Sequence, residues 1–311
     1  TRWRFTMTTS DAPLVACVGL AVQDLVFTMD VPVLEGEKNF AAGLHAVGGG
    51  PAANAAVSIV CLGGRARLVT ALGTDAIGDA IQAELAGYGV DCSPVRRVEA
   101  PSPLSAVVVG RDGDRTIINR TDPELWSEAA LPSTDDIRGA AVVLTDVRWL
   151  DGALAAARAA NELDLPVVVD WDLTDEHVPD ELLDLATHVI FSEPAFQQRF
   201  RSLSSATVAE VCRRHDTVVG VTQGSDGVLW ASGGECKRTD AFAVDAVDTL
   251  GAGDVFHGAF ALGLTRGLSI GDIVEWSAAA AAVKCATRGG REGFPSEADV
   301  AALLEEKKPW S

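Results

Sequence analysis

Short runs of β-branched and other apolar residues alternate along this chain with alanine-rich stretches of helical periodicity. The predicted strands cover residues 15–22, 66–72, 142–146, 167–170, 189–192 and 218–222, and the predicted helices cover 51–62, 77–88, 152–163 and 206–215. Strands that are apolar throughout and separated by helices indicate a mostly parallel sheet covered on both faces. With 311 residues, 48% of them hydrophobic, we expect an α/β fold with one large domain and a small appended one.

Two segments interrupt this alternation. Residues 25–46 and 104–120 lack helical periodicity and predict strands at 27–31, 38–46, 105–109 and 115–119, with a turn at 111–114. Both segments are inserted next to predicted strands of the main sheet. They therefore predict a small β-structure that belongs to the same folding unit.

Charge and composition exclude several classes of function. A net charge of −19 argues against binding nucleic acid or anionic membranes, and no run of 18 apolar residues predicts a membrane span. Six scattered cysteines without a Cys-x-x-Cys pair favour a reducing cytoplasm. The five histidines show neither a His-x-x-x-His nor a His-Cys spacing, which argues against a zinc site. Residues 1–10 lack the apolar core of a signal peptide and resemble an extension, so they are left out of the fold prediction.

The run Asp248-Thr-Leu-Gly-Ala-Gly-Asp254 is followed directly by an apolar helical stretch. Small residues at a helix start let backbone N–H groups approach an anion, so Gly251, Ala252 and Gly253 predict a phosphate cradle. A carboxylate beside a phosphate repels it, which makes Asp254 more useful as a base that deprotonates an attacking hydroxyl. The plainer interpretations are a glycine-rich connection and an ordinary helix-capping carboxylate.

This run resembles the second signature of the ribokinase (PfkB-type) carbohydrate kinases. The first signature matches Gly48-Gly-Gly-Pro-Ala-Ala-Asn54 and continues through residues 62–64, 72–75 and 78–79, so that the resemblance covers roughly 14–306. It implies a ribokinase-like fold, ATP and Mg²⁺, and a β-sheet lid over the sugar. The implied plan is a main domain of 11–24, 47–103 and 121–311, which holds the ATP site, with 25–46 and 104–120 as the lid.

The resemblance assigns the sugar hydroxyls to Asp24, Gly49, Gly50 and Asn54. Asp24 follows the first predicted strand, where a carboxylate can accept two hydroxyl groups, although a turn or capping role is the simpler alternative. Glycine permits close approach of the backbone to a ligand. Asn54 alone, at a helix start, is equally compatible with binding a sugar hydroxyl and with a purely structural role.

On the nucleotide side, Thr222, Gly224 and Gly227 match the family's Thr-x-Gly-x-x-Gly, unless this segment is a plain hairpin turn. The family's Asn-x-x-Glu is replaced by Ser192-Glu-Pro-Ala195, so both named positions depart from the pattern. Glu193 is the remaining candidate for contacting Mg²⁺ through water. Asp248 and the loop 287–291 resemble the family's monovalent-cation site, which would hold K⁺.

Three further side chains suit an anionic end of the sugar: Lys38, Asn119 and Arg148. The alternative is that Arg148 pairs with Asp146 or Asp151 and Lys38 with Glu35 or Glu37. Several segments of the sequence resemble the sulfofructose kinase branch of this family. They cover residues 47–53, 146–149, 191–194, 222–225, 253–258, 284–285 and 289–293. That similarity implies phosphorylation of 6-deoxy-6-sulfofructose at its 1-hydroxyl, with these three residues binding the sulfonate.

Other functions remain open from sequence. The acceptor can be fructose, ribose, 2-keto-3-deoxygluconate or a nucleoside, and a non-catalytic sugar or nucleotide sensor is the alternative outside enzymes, because fold alone does not fix function. Relatives commonly dimerise through the lid edge, and an uncovered lid sheet favours a homodimer here.

Overall fold

The computed structural model describes residues 12–111 and 114–306. Residues 1–10, which the sequence predicts to be an extension, and part of the turn predicted at 111–114 lie outside the described residues. The strands are β1 (Leu14–Val18), β2 (Val22–Thr28), β3 (Gly43–Gly49), β4 (Arg65–Val69), β5 (Ala71–Gly73), β6 (Arg96–Val98), β7 (Leu104–Val109), β8 (Arg115–Arg120), β9 (Val142–Asp146), β10 (Val167–Trp171), β11 (His188–Ser192), β12 (Val218–Thr222), β13 (Val228–Ser232) and β14 (Glu235–Thr239).

The helices are α1 (Pro51–Cys61), α2 (Ala76–Gly87), α3 (Thr134–Ile137), α4 (Leu150–Glu162), α5 (Asp180–Leu185), α6 (Glu193–Phe200), α7 (Ser205–His215), α8 (Ala252–Thr265), α9 (Ile270–Cys285) and α10 (Glu297–Glu306). Helix α1 starts with a proline at its first position, where the missing N–H leaves no intrahelical bond unmade. No helix among these described residues is both long and apolar enough to cross a membrane.

The main sheet has eight strands in the order β14-β13-β12-β11-β10-β9-β1-β4. The six strands from β12 to β4 run parallel, and β13 and β14 are antiparallel additions at one edge. All residues of β1, β9 and β10 are buried, as expected for strands covered on both faces. The predicted ribokinase-like α/β fold, with a mostly parallel sheet and a small second sheet, is confirmed.

Alternating side chains of each strand enter two apolar cores, one on each face of the main sheet. On β1, Cys17 points to the core formed with α1, α2, α8, α9 and α10, whereas Ala16 and Val18 point to the core formed with α3 to α7. The parallel strands end at one edge of this sandwich. The N-terminus of α8 and the segment that follows β9 lie at this edge, where ligands bind in such folds.

The second sheet, called the lid sheet below, has the order β3-β2-β7-β8. Its two central strands, β2 and β7, are parallel, and the outer pairs are antiparallel. The single strand predicted at 15–22 is therefore wrong: the chain leaves the main sheet after Val18 and enters the lid sheet at Val22. The change of sheet occurs at residues 19–21, where Leu20 N donates to the Asp146 carboxylate rather than to a neighbouring strand.

Two site expectations change with these boundaries. Asp24 lies within lid strand β2, not beyond the end of the first main-sheet strand. Lys38 does not begin a lid strand, because β3 starts only at Gly43 and Lys38 lies in the exposed connection between β2 and β3. The physical reason is the turn at 35–37, which the side chain of Asn39 stabilises by bonding to Leu34 N, Leu34 O and Glu37 O.

Candidate active site

The N-terminus of α8 is formed by the glycine-rich run. Gly251 caps the helix with φ +77°, a left-handed conformation that residues with a Cβ rarely adopt. Ala252, Gly253 and Asp254 then occupy the first turn, whose N–H groups have no acceptor within the helix. The Ala252 N–H makes a long bond of 3.3 Å to Thr249 O. Because Gly253 is exposed and has no side chain, the start of the helix and the positive end of its dipole remain open to an anion.

Asp254 is bound from the opposite side by α1. Asn54 Nδ2 donates to Asp254 Oδ2 at 2.6 Å, and Arg291 Nε donates to Asn54 Oδ1 at 2.8 Å. The two helices approach this closely because Gly258 on α8 has no side chain: a Cβ there would press against Ala55 O and the Ser58 side chain. The arrangement fixes both the rotamer of Asn54 and the orientation of the carboxylate.

The electrostatics around Asp254 favour its neutral form. Burial and the negative charge of Asp170 raise the pKa of Asp254 to about 7, although the Asn54 hydrogen bond and His257 act in the opposite direction. A carboxyl group with this pKa is divided between its protonated and ionised forms at neutral pH. It is therefore a stronger base than an ordinary aspartate and still available in the ionised form.

Further carboxylates stand behind Asp254, at the ends of β9 and β10. Asp146 and Asp170 are register partners on these strands, and both are buried. Burial, with Asp146 and Asp172 adding negative charge, raises the pKa of Asp170 well above its usual range. His257 Nδ1 lies 2.7 Å from Gly253 O and 3.3 Å from Asp170 Oδ2, so its ring links the first turn of α8 to this acidic group.

Asp24 faces the same site from the lid. It is the register partner of Ser105 on β7, which in turn pairs with Asn119 on β8, so the three side chains share one face of the lid sheet. Ser105 Oγ donates to Asn119 Oδ1 at 2.8 Å and also contacts the Asp24 carboxyl. Burial raises the pKa of Asp24, against the effects of Ser105 and Arg291.

The glycines before α1 bring the backbone against this face. A Cβ on Gly49 would overlap the Asp24 carboxylate, and one on Gly50 would overlap Leu20 O. A cavity of about 840 Å³ lies between the lid and the 288–292 loop, with Val26, Val107 and Arg291 among its lining residues. Asp24, Gly49, Gly50, Asn54 and Asp254 are thus brought together by contacts at one place.

The predicted nucleotide residues line a separate cavity of about 620 Å³ on the other side of the α8 N-terminus. Its lining includes Thr222, Gly224, Gly227, Ala252 and Gly253, together with apolar side chains such as Phe242, Val244 and Phe256. The apolar walls can accept a flat base, while the glycine-rich end provides N–H groups. The predicted phosphate cradle therefore opens to a cavity of nucleotide size.

Ser192 and Glu193 lie away from this lining. Ser192 Oγ caps α6 by accepting from Ala195 N at 3.4 Å, and it donates to Asp172 Oδ1 at 2.8 Å. Glu193 Oε1 accepts a bond from Gln197 Nε2 at 2.9 Å within the same helix. In the part of the chain that the structure describes, no three His, Cys, Asp or Glu side chains are grouped to hold a metal ion directly.

Arg148 lies two residues beyond β9 and pairs with neither of the partners considered from sequence. Its Nη2 lies 2.9 Å from Asp172 Oδ2 and its Nη1 donates to Leu173 O at 2.7 Å, both in the segment after β10. Asp146 instead accepts a bond from the Arg148 backbone N–H at 2.9 Å. The side chain keeps a third of its surface exposed, at the strand edge where ligands bind.

Asp248 is tied to a lysine. Lys284, on the last turn of α9, places Nζ 3.1 Å from Asp248 Oδ2 and 3.2 Å from Asp248 O, and it donates to Thr287 O at 3.1 Å. Burial opposes ionisation of Asp248, but hydrogen bonds from Leu250 N and Lys284 and the ammonium charge hold the pKa of this carboxyl below its usual value. The oxygens expected to bind K⁺ therefore face a protein cation.

Sequence reasoning missed Ser105, Asp170, Lys284 and the role of Arg291. Arg291 is buried, donates to Gly49 O at 2.9 Å and lies 3.2 Å from Glu84 Oε1, so it connects the loop 287–291 to the first glycine signature and to α2. A charged residue inside a glycine-rich loop was the available signal. Lys284 was signalled by its place in the alanine-rich run of α9, where a lysine needs a buried partner.

An anion cradle at a helix start becomes catalytic when a carboxylate with a raised pKa stands beside it, which is the arrangement of a kinase that phosphorylates a small alcohol. The chain belongs to the PfkB family of carbohydrate kinases: the profile described as pfkB family carbohydrate kinase matches residues 12–297. It is an ATP-dependent phosphotransferase with an alcohol group as acceptor.

Relatives cover almost the whole chain. Ribokinase of Bacillus subtilis is 26% identical over 293 residues, which are 93% of this chain and 99% of that protein. A putative ribokinase from Agrobacterium tumefaciens has a similar structure, with a TM-score of 0.89, 32% identity and coverage of 96% of this chain and 100% of that one. Arabidopsis thaliana ribokinase complexed with ribose and ATP gives a TM-score of 0.84, 27% identity, and coverage of 94% and 99% respectively.

Proposed function

We propose that Asp254 is the general base that takes the proton from a sugar hydroxyl as it attacks the γ-phosphoryl group of ATP. The observation that supports this most is the raised pKa of a carboxylate in the first turn of α8, which Asn54 holds by a hydrogen bond and which directly follows Ala252 and Gly253, two residues in the lining of the nucleotide-sized cavity. The proton passes from the hydroxyl to Asp254, the new O–P bond forms, and ADP leaves with the electrons of the broken O–P bond.

The amides of Gly251, Ala252 and Gly253 would stabilise the charge that develops on the transferred phosphoryl group. They are held by the helix and the Gly251 cap, so little reorganisation is required during the reaction. Asn54 would keep the Asp254 carboxylate turned toward the acceptor hydroxyl. Asp24, Gly49, Gly50 and Asn54 would hold the other sugar hydroxyls.

Thr222, Gly224 and Gly227 would contact the phosphates of ATP, and Mg²⁺ would neutralise phosphate charge during transfer. The acidic surroundings fit a divalent cation held mainly by phosphates and water. Burial and the charges of Asp146 and Asp172 raise the pKa of Asp170, and a nearby divalent cation would favour its ionised form. Glu193 and Ser192 retain only an indirect part in this proposal, because Gln197 and Asp172 already bind them.

For the acceptor we propose 6-deoxy-6-sulfofructose, phosphorylated at its 1-hydroxyl. Arg148 supports an anionic substrate because its guanidinium is part-exposed beside the site and its backbone is fixed by Asp146. Asn119, connected to Asp24 through Ser105, would donate to the sulfonate, and Lys38 would reach it from the exposed loop between β2 and β3. Asp172 neutralises part of the Arg148 charge, so the sulfonate would share the guanidinium with it.

Ribose is the rival acceptor, because the similar proteins reported above are named ribokinases. The two proposals are separated by measuring ADP release with sulfofructose, fructose, ribose, 2-keto-3-deoxygluconate and nucleosides. We expect the highest kcat/KM with sulfofructose. A preference for ribose or another neutral sugar would reject the sulfosugar proposal and leave the kinase activity intact.

We propose a cytoplasmic homodimer that forms through the lid. Leu44 and Ile118 are exposed by 58% and 63%, on the lid face opposite Asp24, and the register places Leu25 and Phe27 on that same face. Burying this apolar face against a second copy would remove it from water. Light scattering should give twice the chain mass for the wild type and a monomer for Ile118→Lys.

Six free cysteines are consistent with a reducing compartment.

A further inference from the structure

The expected monovalent cation does not fit the residues around Asp248. Lys284 Nζ is already in contact with the Asp248 carboxylate, the Asp248 carbonyl and the Thr287 carbonyl, all at 3.1–3.2 Å. One carboxylate and two carbonyls are the hard oxygen donors that a monovalent cation would need. A second positive charge on the same oxygens would lie within a few ångströms of the ammonium group and be repelled.

The remaining acceptor capacity of Asp248 is also used. Its Oδ1 accepts from Leu250 N at 3.0 Å, and its Oδ2 accepts from Gly289 N at 3.3 Å and Gly290 N at 3.5 Å, in addition to Lys284. A carboxylate offers about four lone-pair sites. These backbone donors and the ammonium therefore complete the coordination of both oxygens without an ion from solution.

Lys284 lies where a buried positive charge is stabilised and can hold two loops together. It has no exposed surface, and it lies on the last turn of a helix, where the dipole favours positive charge. The groups that it joins are the two loops that carry the active site. Asp248 leads through Leu250 to the Gly251 cap of α8, and Thr287 leads to the loop that carries Arg291.

We infer that the ammonium group of Lys284 replaces the monovalent cation, as a positioning residue that ties the segment 248–250 to the loop 287–291. It would act on catalysis through two routes: the phosphate cradle that starts at Gly251, and Arg291, which supports Asn54 and hence Asp254. The enzyme would then work without K⁺. The rate effect rests on the proposed kinase mechanism, whereas the replacement of the cation does not.

The first test compares the wild type with and without K⁺, at equal ionic strength kept with tetramethylammonium chloride. We expect the rate of ADP release to change less than about twofold, because no oxygen set is left for K⁺. Activation well beyond that would overturn the inference, whatever any variant does.

The second test uses two substitutions that differ in the space that they leave. Lys284→Ala removes the ammonium and makes room for an ion, whereas Lys284→Met removes the charge and fills the space. Without K⁺ both should lose about 10- to 100-fold in kcat, the scale on which displaced catalytic groups act. K⁺ or ammonium should restore Lys284→Ala and not Lys284→Met. Full activity of Lys284→Ala without K⁺ would overturn the positioning role.

A binding measurement separates this inference from the kinase proposal. K⁺ should raise the melting temperature of nucleotide-free Lys284→Ala and leave that of the wild type unchanged. Lys237→Met is the matched control, because Lys237 is half-exposed and pairs only with Glu235 among the ion pairs of the described chain. This measurement tests whether Lys284 replaces the cation even if the wild type shows no kinase activity with any sugar. If K⁺ raises the melting temperature of wild type and Lys284→Ala equally, the inference that Lys284 replaces the cation is rejected.

Discussion

Asn54 and Asp254 are joined by a 2.6 Å hydrogen bond although 200 residues separate them in the chain. The bond connects the first turn of α1 to the first turn of α8, so that each glycine-rich run supplies one member. Arg291 Nε donates to the amide oxygen of Asn54, which fixes the amide with its Nδ2 group toward Asp254. The orientation of the proposed base is therefore set by two residues outside its own helix.

Asp254→Asn should remove catalysis while leaving ligand binding nearly intact. The substitution keeps the shape of the side chain and removes the group that accepts the hydroxyl proton, so we expect kcat to fall about 10²- to 10⁴-fold. Steady-state ADP release, with sugar and ATP affinities from calorimetry, provides the measurement. Asp272→Asn on α9 is the control. Retention of most of the activity would show that Asp254 is not the base.

The pH dependence of kcat/KM should report the Asp254 carboxyl. The base must be ionised, so the rate should rise with pH through about 7 and level off above it. Asn54→Ala removes a hydrogen bond that lowers the pKa of Asp254, and the rising limb should therefore move to higher pH. Asn161→Ala, on the remote helix α4, should leave the profile in place. A profile that is flat between pH 5 and 8 would contradict the raised pKa.

The same group should affect stability, with a definite sign. The folded protein keeps a proton on Asp254 up to about pH 7, whereas an unfolded aspartate releases it near pH 4. Between these values the folded state binds more protons, so the raised pKa of Asp254 lowers the free energy of unfolding as pH rises. Urea unfolding should show that the free energy of unfolding of Asp254→Asn, relative to that of the wild type, increases from pH 5 to pH 8. A pH-independent difference would oppose this account.

Arg148→Ala should separate anionic from neutral acceptors. Removing a charged partner from a partly desolvated site typically costs about 2–5 kcal/mol, which is roughly 30-fold or more in affinity. We expect KM for sulfofructose to rise on that scale while turnover of fructose changes little. Arg158→Ala, which breaks an exposed pair with Glu181, serves as the control. Equal losses with both sugars would make Arg148 structural.

Arg291→Met should damage both stability and catalysis. The guanidinium is buried and binds Asn54, Gly49 O and Glu84, so its loss leaves these groups without their donor. Breaking such a pair costs about 3 kcal/mol in the free energy of unfolding. Arg138→Met, at an exposed pair with Asp135, should cost less than about 1 kcal/mol. Urea denaturation compares the two, and similar small losses would reject the central position of Arg291.

The features predicted well from sequence are those set by neighbours in the chain. The apolar runs of β9 and β12 and the start of α1 at Pro51 are determined locally, as is the turn at Gly251. The boundaries of the lid strands were harder to predict, because strands with one exposed face carry a weaker hydrophobic pattern. The assignment of Lys38 to a strand failed because the turn at 35–37, which Asn39 stabilises, keeps this residue in the connection before β3.

Contacts between distant segments could not be predicted from local pattern. Arg148 pairs with Asp172, 24 residues away, because β9 and β10 end side by side. Lys284 meets Asp248 because α9 ends where the segment before α8 passes. Both ion pairs depend on the order of elements in the fold rather than on any spacing in the sequence.

The chain enters and leaves the β2–β3 pair of the lid sheet at one point, which a single carboxylate, Asp146, holds together. Leu20 N, just before β2, and Ala52 N, just after β3, both donate to Asp146 Oδ2, at 2.9 and 3.0 Å. The two ends of the β2–β3 pair thus meet on one oxygen atom, and any displacement that separated these ends would break one of the two hydrogen bonds. Asp146 Oδ1 accepts from the Arg148 amide, so the same carboxylate connects both ends of this strand pair to the loop that carries Arg148.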